Sequence, residues 1–364
     1  MNICSVVGAR PNFVKLAPIA CELARHPDVR HCIIHTGQHY DAALTDAFFD
    51  DLRLPPPDYA LGVGSGTHTE QTARAMLALE PVFRKERPDW VVVVGDVNTT
   101  LAATLTAVKC GLRVAHVEAG LRSFDRTMPE EINRRLVDAV ADLLLTPSAD
   151  ADDNLLREGV APERIRRVGN VMVDSLLAAL PRAAASPILR ELGLSPGAYA
   201  VVTLHRPSNV DDPETLRRLM DALARLAERL PVVFPVHPRT QARLEALALP
   251  EVAALRRLPP LGYLDFLQLW RHARLVLTDS GGLQEETTAL GVPCLTLRTT
   301  TERPITVWEG TNRVVGTNPD TVIAAAETCL ASPYPTEPRR PALWDGRAAK
   351  RIVAALLDKV QEPA

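Results

Sequence analysis

Short runs of apolar residues alternate along the chain with longer segments in which apolar residues recur at helical spacing. Most of the runs carry no charge, which is typical of strands buried on both faces of a parallel sheet. They fall at residues 3–7, 32–35, 89–96, 114–119 and 143–146, and then at 198–204, 232–236, 275–278, 294–297 and 312–316. The alternation predicts two parallel sheets, each covered by helices on both sides.

A change of pattern at residues 167–187 separates the two sets of strands. Val-Gly-Asn at 168–170 is followed by a short helical segment and then by alanines and prolines, as expected of a domain junction. We therefore predict an α/β protein with two Rossmann-like, doubly wound domains, residues 1–168 and 169–345, facing each other across a cleft. The amphipathic C-terminal segment, residues 346–364, is expected to cross back onto the first domain as a helix.

The composition excludes several classes of protein. With 41 basic and 44 acidic residues among 364, the formal charge of −3 provides no basic field for nucleic acid. The six cysteines stand singly, without a CxxC pair, and are expected to be reduced thiols. The N-terminus enters a strand directly, without a basic leader or a long apolar span. We therefore expect a cytoplasmic protein that does not bind membranes.

The segment 275–293 predicts a strand, a glycine turn and a helix. Its turn, Ser280-Gly281-Gly282, would expose backbone N–H groups at the positive end of the helix dipole, where a phosphate or diphosphate can bind. A Gly-Gly pair can also serve close packing alone. Glu285 and Glu286, however, lie just inside the helix and can accept hydrogen bonds from the hydroxyls of a ribose. Arg303 and several threonines follow the next apolar run. The pattern favours a nucleotide diphosphate site in the second half of the chain.

Acidic residues follow the predicted strands of the first half. Asp96 and Glu118 stand at strand ends, and Glu130 opens the next helix. Such acids often serve only as helix caps, but three of them at one edge of a sheet favour a convergent acid/base site. His116 and Glu118 would provide only two metal ligands, so we expect neither a metal nor a cofactor.

The ordered motifs of the chain identify a resemblance to a known family. GARPNFVKLAP, GDVNTTLAA, HVEAGLRS, MPEEINRRL, VGNVMVD, LHRPSNVD, PVHPR, LTDSGGLQEE and TTERP follow one another over nearly the whole length. Together they resemble the non-hydrolysing UDP-N-acetylglucosamine 2-epimerases, whose two-domain fold is shared with the glycosyltransferase-B class. The resemblance implies reversible inversion at C2, between UDP-GlcNAc and UDP-ManNAc, through elimination of UDP to a glycal and re-addition. It also implies a homodimer and a supply of precursors for cell-surface polysaccharides.

The resemblance implies a role for each matching residue. By motif position, the catalytic residues would be Asp96, Glu118 and Glu130, which move the C2 proton, and His205, which meets the departing phosphate. The substrate-binding residues would be Arg10, Lys15, Phe266, Ser280, Gly281, Gly282, Glu286 and Arg303. Within that set, residues 280–282 would hold the phosphates, Glu286 the ribose, Arg303 the uridine end and Phe266 the base.

The chain also departs from the family pattern. Asn12 stands where many members have Glu, and Tyr40 where many have Arg, in a region where bacterial members often bind a second, activating substrate molecule. Four alternatives remain open: a 2-epimerase of another UDP-sugar such as a diacetamido uronic acid or a 6-deoxy amino sugar, a hydrolysing 2-epimerase that releases ManNAc, a glycosyltransferase of the same fold, and a non-catalytic binder.

Overall fold

The structure, a computed structural model, describes residues 1–37, 52–247, 252–334 and 339–358. The chain divides into two compact units, unit 1 comprising Met1–Leu177 with Ala342–Ala364, and unit 2 comprising Ala178–Pro341. The junctions predicted from the sequence follow residues 168 and 345. Within the described ranges, no helix has the length and the apolar character that crossing a bilayer would require.

Unit 1 contains a parallel sheet of seven strands in the order β3-β2-β1-β4-β5-β6-β7. In chain order its elements are β1 Asn2–Val7, α1 Arg10–Leu23, β2 Arg30–His35, β3 Tyr59–Ala60, α2 His68–Glu86, β4 Trp90–Val94, α3 Asn98–Lys109, β5 Val114–Val117, α4 Pro129–Val140, β6 Leu143–Thr146, α5 Ala149–Arg157, a 3₁₀ turn Pro162–Arg164, β7 Ile165–Arg167, α6 Val171–Ala183 and, after unit 2, α15 Ala348–Asp358.

The sheet of unit 1 is buried on both faces, as the uncharged strands predict. In β4, Val92 packs with the apolar residues of α1 and α15, whereas Val91 and Val93 pack against the opposite layer of helices. The C-terminal helix α15 is tied to this unit, because Asp174 accepts hydrogen bonds from the N–H groups of Ala348 and Ala349, at 3.1 and 2.8 Å. The predicted return of the C-terminal helix to the first domain is confirmed.

Unit 2 repeats the plan with six parallel strands in the order β10-β9-β8-β11-β12-β13. Its elements are α7 Ile188–Glu191, β8 Ala200–Thr203, α8 Pro207–Val210, α9 Pro213–Ala227, β9 Val232–Pro235, α10 Pro238–Ala246, β10 Leu255–Leu258, α11 Tyr263–Arg271, β11 Leu275–Thr278, α12 Gly281–Leu290, β12 Cys294–Thr296, α13 Ile305–Trp308, β13 Asn312–Val314 and α14 Pro319–Ala331.

The strand orders place a reversal of winding in each unit. In unit 1, β1 lies between β2 and β4, and in unit 2, β8 lies between β9 and β11. Open parallel sheets bind ligands outside the carboxyl ends of the strands at such a reversal. A ligand is therefore expected at the turns after β1 and β4 in unit 1, and at those after β8 and β11 in unit 2.

Three strands were missing from the sequence prediction, namely β3, β7 and β10. β3 is only two residues long, and β7 and β10 each contain a pair of arginines among their three or four residues. β3 and β7 form the two edges of the first sheet, and β10 forms an edge of the second. An edge strand is exposed along one side, so it lacks the continuous apolar run that marks a central strand.

Candidate functional site

Asn12 of α1 fixes the turn after β1. Its Oδ1 accepts hydrogen bonds from the N–H groups of Gly8 and Ala9, at 3.3 and 3.2 Å. Its Nδ2 donates to the carbonyl of Val94 at the end of β4, at 2.9 Å. The residue at which the sequence departs from the family pattern therefore joins the ends of two neighbouring strands. The other departure, Tyr40, lies outside the described residues.

Lys15 and Glu118 form an ion pair at the carboxyl ends of the strands, with only 7% and 8% of their side chains exposed. Glu118 holds a left-handed backbone conformation, φ 71°, which is unusual for a residue other than glycine and is typical of functional sites. The neighbouring Gly95, φ 68°, makes room for the pair, because a Cβ there would lie 2.8 Å from Lys15 Nζ and 3.4 Å from Glu118 Oε2. The fold thus buries a charged pair beside the end of β4.

Asp96, the residue after Gly95, is held by two residues of α4. Arg134 Nη2 donates to Asp96 Oδ2 at 2.5 Å, and its Nη1 pairs with Glu131. Asn133 Nδ2 donates to the backbone carbonyl of Asp96 at 2.9 Å. The side chain of Asp96 is still 24% exposed, so its carboxylate is both oriented and accessible.

The two glutamates that open α4 have different surroundings. Glu131 is buried and accepts hydrogen bonds from the N–H and the hydroxyl of Ser123, at 2.8 and 3.0 Å, and from the N–H of Phe124, at 3.2 Å. Glu130 is half-buried, and its side chain has no hydrogen-bond partner in the part of the chain that the structure describes. Glu131 therefore shapes the loop after β5, whereas Glu130 is the one available to a ligand.

Arg10 is the first residue of α1, at the end of the turn after β1, and its side chain lies outside the described part of the structure. Arg10 therefore follows directly the turn that Asn12 fixes.

In unit 2, Asp279 orients His205. Asp279 Oδ1 lies 2.8 Å from His205 Nδ1, and the other oxygen accepts from the N–H groups of His205 and Arg206, at 3.0 and 2.9 Å, and from Asn209 Nδ2 at 3.2 Å. Burial alone would raise the pKa of Asp279, but the contacts with His205 and the two N–H groups hold it below its usual value. The His205 side chain is 47% exposed, which leaves Nε2 for a ligand.

The glycine turn opens α12 as predicted. Ser280 is its N-cap residue, yet its side chain makes no capping hydrogen bond, and the first turn contains no acid. A Cβ on Gly281 would lie 2.7 Å from Glu302 Oε1, and Gly282 is partly exposed. The backbone N–H groups of this turn and the dipole of the ten-residue helix thus suit an anion.

A cluster of opposite charges surrounds the glycine turn. Arg303 is 8% exposed, and its Nε lies 3.0 Å from Glu285 Oε2 and its Nη1 2.5 Å from Glu302 Oε1. Glu302 also pairs with Arg298 at 2.9 Å. The predicted cation Arg303 therefore packs against Gly281, and two carboxylates keep it in place.

Glu286 differs from its neighbour Glu285. It is 8% exposed, and its carboxyl group makes no hydrogen bond to the described residues. Burial, together with the adjacent Glu285, raises the pKa of Glu286 to about 8. A buried carboxyl group without an internal partner, one turn past a phosphate-binding turn, is suited to accept hydrogen bonds from a sugar.

A cavity of about 440 Å³ opens at the carboxyl ends of β9 and β10. Its lining residues are Val236, Pro238, Gln241, Arg257, Leu258, Pro259 and Pro260. Proline and aliphatic surfaces of this kind suit the face of a planar base, with Gln241 and Arg257 as polar groups. Phe266, the predicted base neighbour, is half-buried in α11 and does not line this cavity.

The residues that hold the predicted ones were not predicted from the sequence. Asn12, Arg134 and Asp279 act through tertiary hydrogen bonds and ion pairs to residues distant in the chain, whereas Glu302 holds its chain neighbour Arg303. A usable signal existed for Asp279, because a carboxylate at the end of an apolar strand must be paired if it is buried. No comparable signal marked the others.

Comparison with known proteins shows the family of this chain. A family model described as UDP-N-acetylglucosamine 2-epimerase matches residues 21–357. The chain belongs to the UDP-N-acetylglucosamine 2-epimerase family. A member from Methanocaldococcus jannaschii, named UDP-N-acetylglucosamine 2-epimerase, is 44% identical over 91% of this chain and 92% of its own length.

A solved structure and a second relative are also similar to this chain. The crystal structure of the Methanocaldococcus jannaschii enzyme in complex with UDP-GlcNAc and UDP has a TM-score of 0.90 and 42% identity, and covers 98% of this chain and 100% of that one. A Pseudomonas aeruginosa protein named UDP-2,3-diacetamido-2,3-dideoxy-D-glucuronate 2-epimerase is 41% identical over 99% of this chain and 100% of its own length. The family thus includes members named for different UDP-sugars.

Proposed function

We propose that this protein catalyses the reversible C2 epimerisation of a UDP-amino sugar, UDP-GlcNAc to UDP-ManNAc. The observation that carries the proposal is the presence of two complementary sets of groups in one member of this family. Unit 2 has an oriented histidine, an uncapped helix N-terminus and a buried carboxyl group for UDP, and unit 1 has Asp96 and Glu118, both held by cations.

The chemistry explains why both sets are needed. The C2 proton of the sugar has no adjacent carbonyl group and is weakly acidic, so its removal requires a leaving group whose charge is stabilised. His205 and the turn of residues 280–282 are proposed to stabilise the diphosphate as the C1–O bond breaks. A carboxylate among Asp96, Glu118 and Glu130 takes the C2 proton, which leaves a C1–C2 double bond and free UDP. Protonation of the opposite face and return of UDP complete the inversion.

Proton NMR in deuterated water tests the proposal. Incubation of UDP-GlcNAc with the protein should produce UDP-ManNAc and replace the C2 proton by deuterium in both sugars. Accumulation of UDP with free ManNAc would indicate the hydrolysing reaction, and transfer to an acceptor without C2 exchange would indicate a glycosyltransferase. An unchanged spectrum with every UDP-sugar tried would refute epimerisation.

The Pseudomonas aeruginosa relative makes a second substrate a specific candidate. Its 41% identity covers 99% of this chain, and its name specifies a diacetamido uronic acid instead of GlcNAc. The same NMR assay with the UDP-diacetamido uronate distinguishes the two candidates. The sugar with the higher kcat/KM is the substrate, and the proposal for UDP-GlcNAc fails if only the uronate exchanges.

Replacing Glu286 by Gln is expected to stabilise the protein at alkaline pH while weakening UDP binding. The unfolded chain loses the Glu286 proton near the ordinary glutamate pKa of 4.5, and the folded protein keeps it until about 8, so wild-type stability falls as pH rises between these values. Gln has no proton to lose, and we expect a gain of about 2–4 kcal/mol at pH 8. At pH 8, where the carboxylate begins to form, UDP affinity should fall about tenfold, because a carboxylate has two acceptor oxygens for the two ribose hydroxyls and an amide has one; at pH 5, where the carboxyl group is protonated, the two proteins should differ less.

Denaturation curves and calorimetry with UDP at pH 5 and pH 8 measure both effects of Glu286→Gln. Glu214→Gln in the first turn of α9, where the side chain is 77% exposed, is the matched control and should change neither quantity. Equal stability of Glu286→Gln and wild type at both pH values would contradict the prediction.

We also propose that the protein is a cytoplasmic homodimer, as the family resemblance implies. Light scattering should return twice the chain mass of 39.7 kDa, about 80 kDa, at the concentrations used for assay. A mass near that of one chain under these conditions would rule out the dimer.

A further inference from the structure

The carboxylate of Asp138 on α4 lies at the centre of a buried network in unit 1. Asp138 and His116 of β5 are 1% and 0% exposed. Asp138 Oδ1 lies 2.6 Å from His116 Nδ1, and Oδ2 accepts from the N–H of Gly120 at 3.0 Å and from Arg122 Nη1 at 2.7 Å. A single side chain thus contacts His116 in β5 and two residues, Gly120 and Arg122, of the loop that follows this strand.

His116 extends this network to the neighbouring strand. Its Nε2 lies 2.8 Å from the carbonyl oxygen of Gly95 at the end of β4. Since a carbonyl can only accept, Nε2 must donate, and the ring is held between a carbonyl and a carboxylate. Gly95 directly precedes Asp96, and it is the residue that makes room for Lys15 and Glu118.

The two backbone segments that the network contacts both have left-handed glycines. Gly95 has φ 68° and Gly120 has φ 83°, and a Cβ on Gly120 would lie 2.8 Å from the carbonyl carbon of Ala151. Gly120 is further fixed by Asn154 Nδ2, which donates to its carbonyl at 2.9 Å. Such turns persist only where the surrounding structure fixes them, and hydrogen bonds from a buried network provide this constraint.

Arg122, itself buried, links the network to the partly exposed Glu158. Its Nε and Nη2 donate to the two carboxylate oxygens of Glu158, at 2.9 and 2.7 Å, in a bidentate pair. Burial would raise the pKa of Asp138, but His116 and Arg122 together keep it below its usual value. Asp138 is therefore an ionised group with every contact satisfied, which makes it a rigid anchor.

We propose that Asp138 and His116 form a positioning pair that fixes the turns carrying Asp96 and Glu118. Neither residue touches substrate; Asp138 holds Gly120 directly and Gly95 through His116, and so sets the backbone on both sides of Glu118 and next to Asp96. This inference rests on the proposed function, in which these two carboxylates transfer protons. It gives His116 a role that is neither that of a metal ligand nor that of simple core packing.

Variants of the pair test the proposal. His116→Phe keeps an aromatic ring but removes the contacts with both Gly95 and Asp138, and we expect kcat for C2 exchange to fall by about 100-fold while KM changes by less than about twofold. Asp138→Asn can keep every contact, because its amide N–H can donate to a neutral His116. Its kcat should stay within about threefold of that of wild type. Asp138→Ala removes the anchor and should resemble His116→Phe.

His31→Phe is the matched control. His31 is a half-buried histidine near the amino end of β2 whose Nε2 lies 2.8 Å from Ser5 Oγ, away from the carboxyl ends of the strands. It should leave kcat unchanged. Hydrogen–deuterium exchange of the free protein provides a readout independent of activity: residues 94–98 and 117–124 should exchange faster in His116→Phe and Asp138→Ala, with α2 as in wild type.

The outcomes separate the inference from the proposed function. Unchanged exchange in both turns, or a kcat within threefold of wild type in His116→Phe, overturns the positioning role. If His116→Phe does not fold, Asp138→Asn and Asp138→Ala are compared instead. An equal loss of kcat in these two variants overturns the positioning role. If wild type itself shows no C2 exchange, the proposed function fails, and the backbone measurement still decides whether the pair fixes the turns.

Discussion

Glu118→Gln is expected to slow C2 exchange by about 10³-fold, because the amide can neither accept the C2 proton nor deliver one. The substitution keeps the shape of a side chain that is 8% exposed and has a left-handed backbone, so the turn should survive. UDP affinity should remain within about twofold of wild type, because the proposed UDP contacts lie in unit 2. Deuterium incorporation followed by NMR, with calorimetry for UDP, measures both quantities.

Two further variants complete the test of Glu118. Lys15→Met removes the cation that pairs with Glu118 and should also lower the exchange rate, because the carboxylate is then buried without its partner. Glu22→Gln, on the same helix as Lys15 but paired with Arg25 outside the site, is the control and should behave as wild type. A Glu118→Gln protein that keeps more than a tenth of the exchange rate would show that Glu118 does not transfer the proton.

Asp279→Ala is expected to lower the free energy of unfolding of unit 2 by about 3–5 kcal/mol and to abolish turnover. The substitution leaves Nδ1 and the N–H of His205, the N–H of Arg206 and Asn209 Nδ2 without their acceptor. His205 then loses the orientation that aims Nε2 at a leaving phosphate. Asp279→Asn keeps one acceptor oxygen and should cost about 1–2 kcal/mol.

The pH dependence of the Asp279 effect has a defined sign. Because the folded-state pKa of Asp279 lies below the ordinary aspartate value of 3.8, its stabilisation is present above that pH and is lost as pH falls through the folded pKa. The difference in the free energy of unfolding between wild type and Asp279→Ala should therefore be constant from about pH 5 to 8 and shrink below about pH 4. Urea denaturation followed by tryptophan fluorescence, to which Trp270 buried in unit 2 contributes, measures this difference in stability. A gap that widens in acid would contradict the assignment.

The sequence determined the class of fold because central strands of parallel sheets must be apolar on both faces. Val91, Val92 and Val93 illustrate this, since successive side chains enter the cores on opposite faces of one sheet. The strand, turn and helix at residues 275–290 were readable for the same reason, together with the pair Gly281-Gly282 that opens the helix. Edge strands such as β10 were not predicted, because they are covered along only one side and lack a continuous apolar run.

The sequence by itself also determined which residue types stand at the strand ends, and so the resemblance to the family. Only the tertiary structure decided how they are held: that Glu118 pairs with Lys15, that Asp96 pairs with Arg134, and that Asp279 orients His205. These partners are far apart in the chain and meet because parallel strands bring their carboxyl ends to one edge of each sheet. Local patterns report burial and backbone preference, whereas hydrogen bonds between distant residues leave no periodic trace in the sequence.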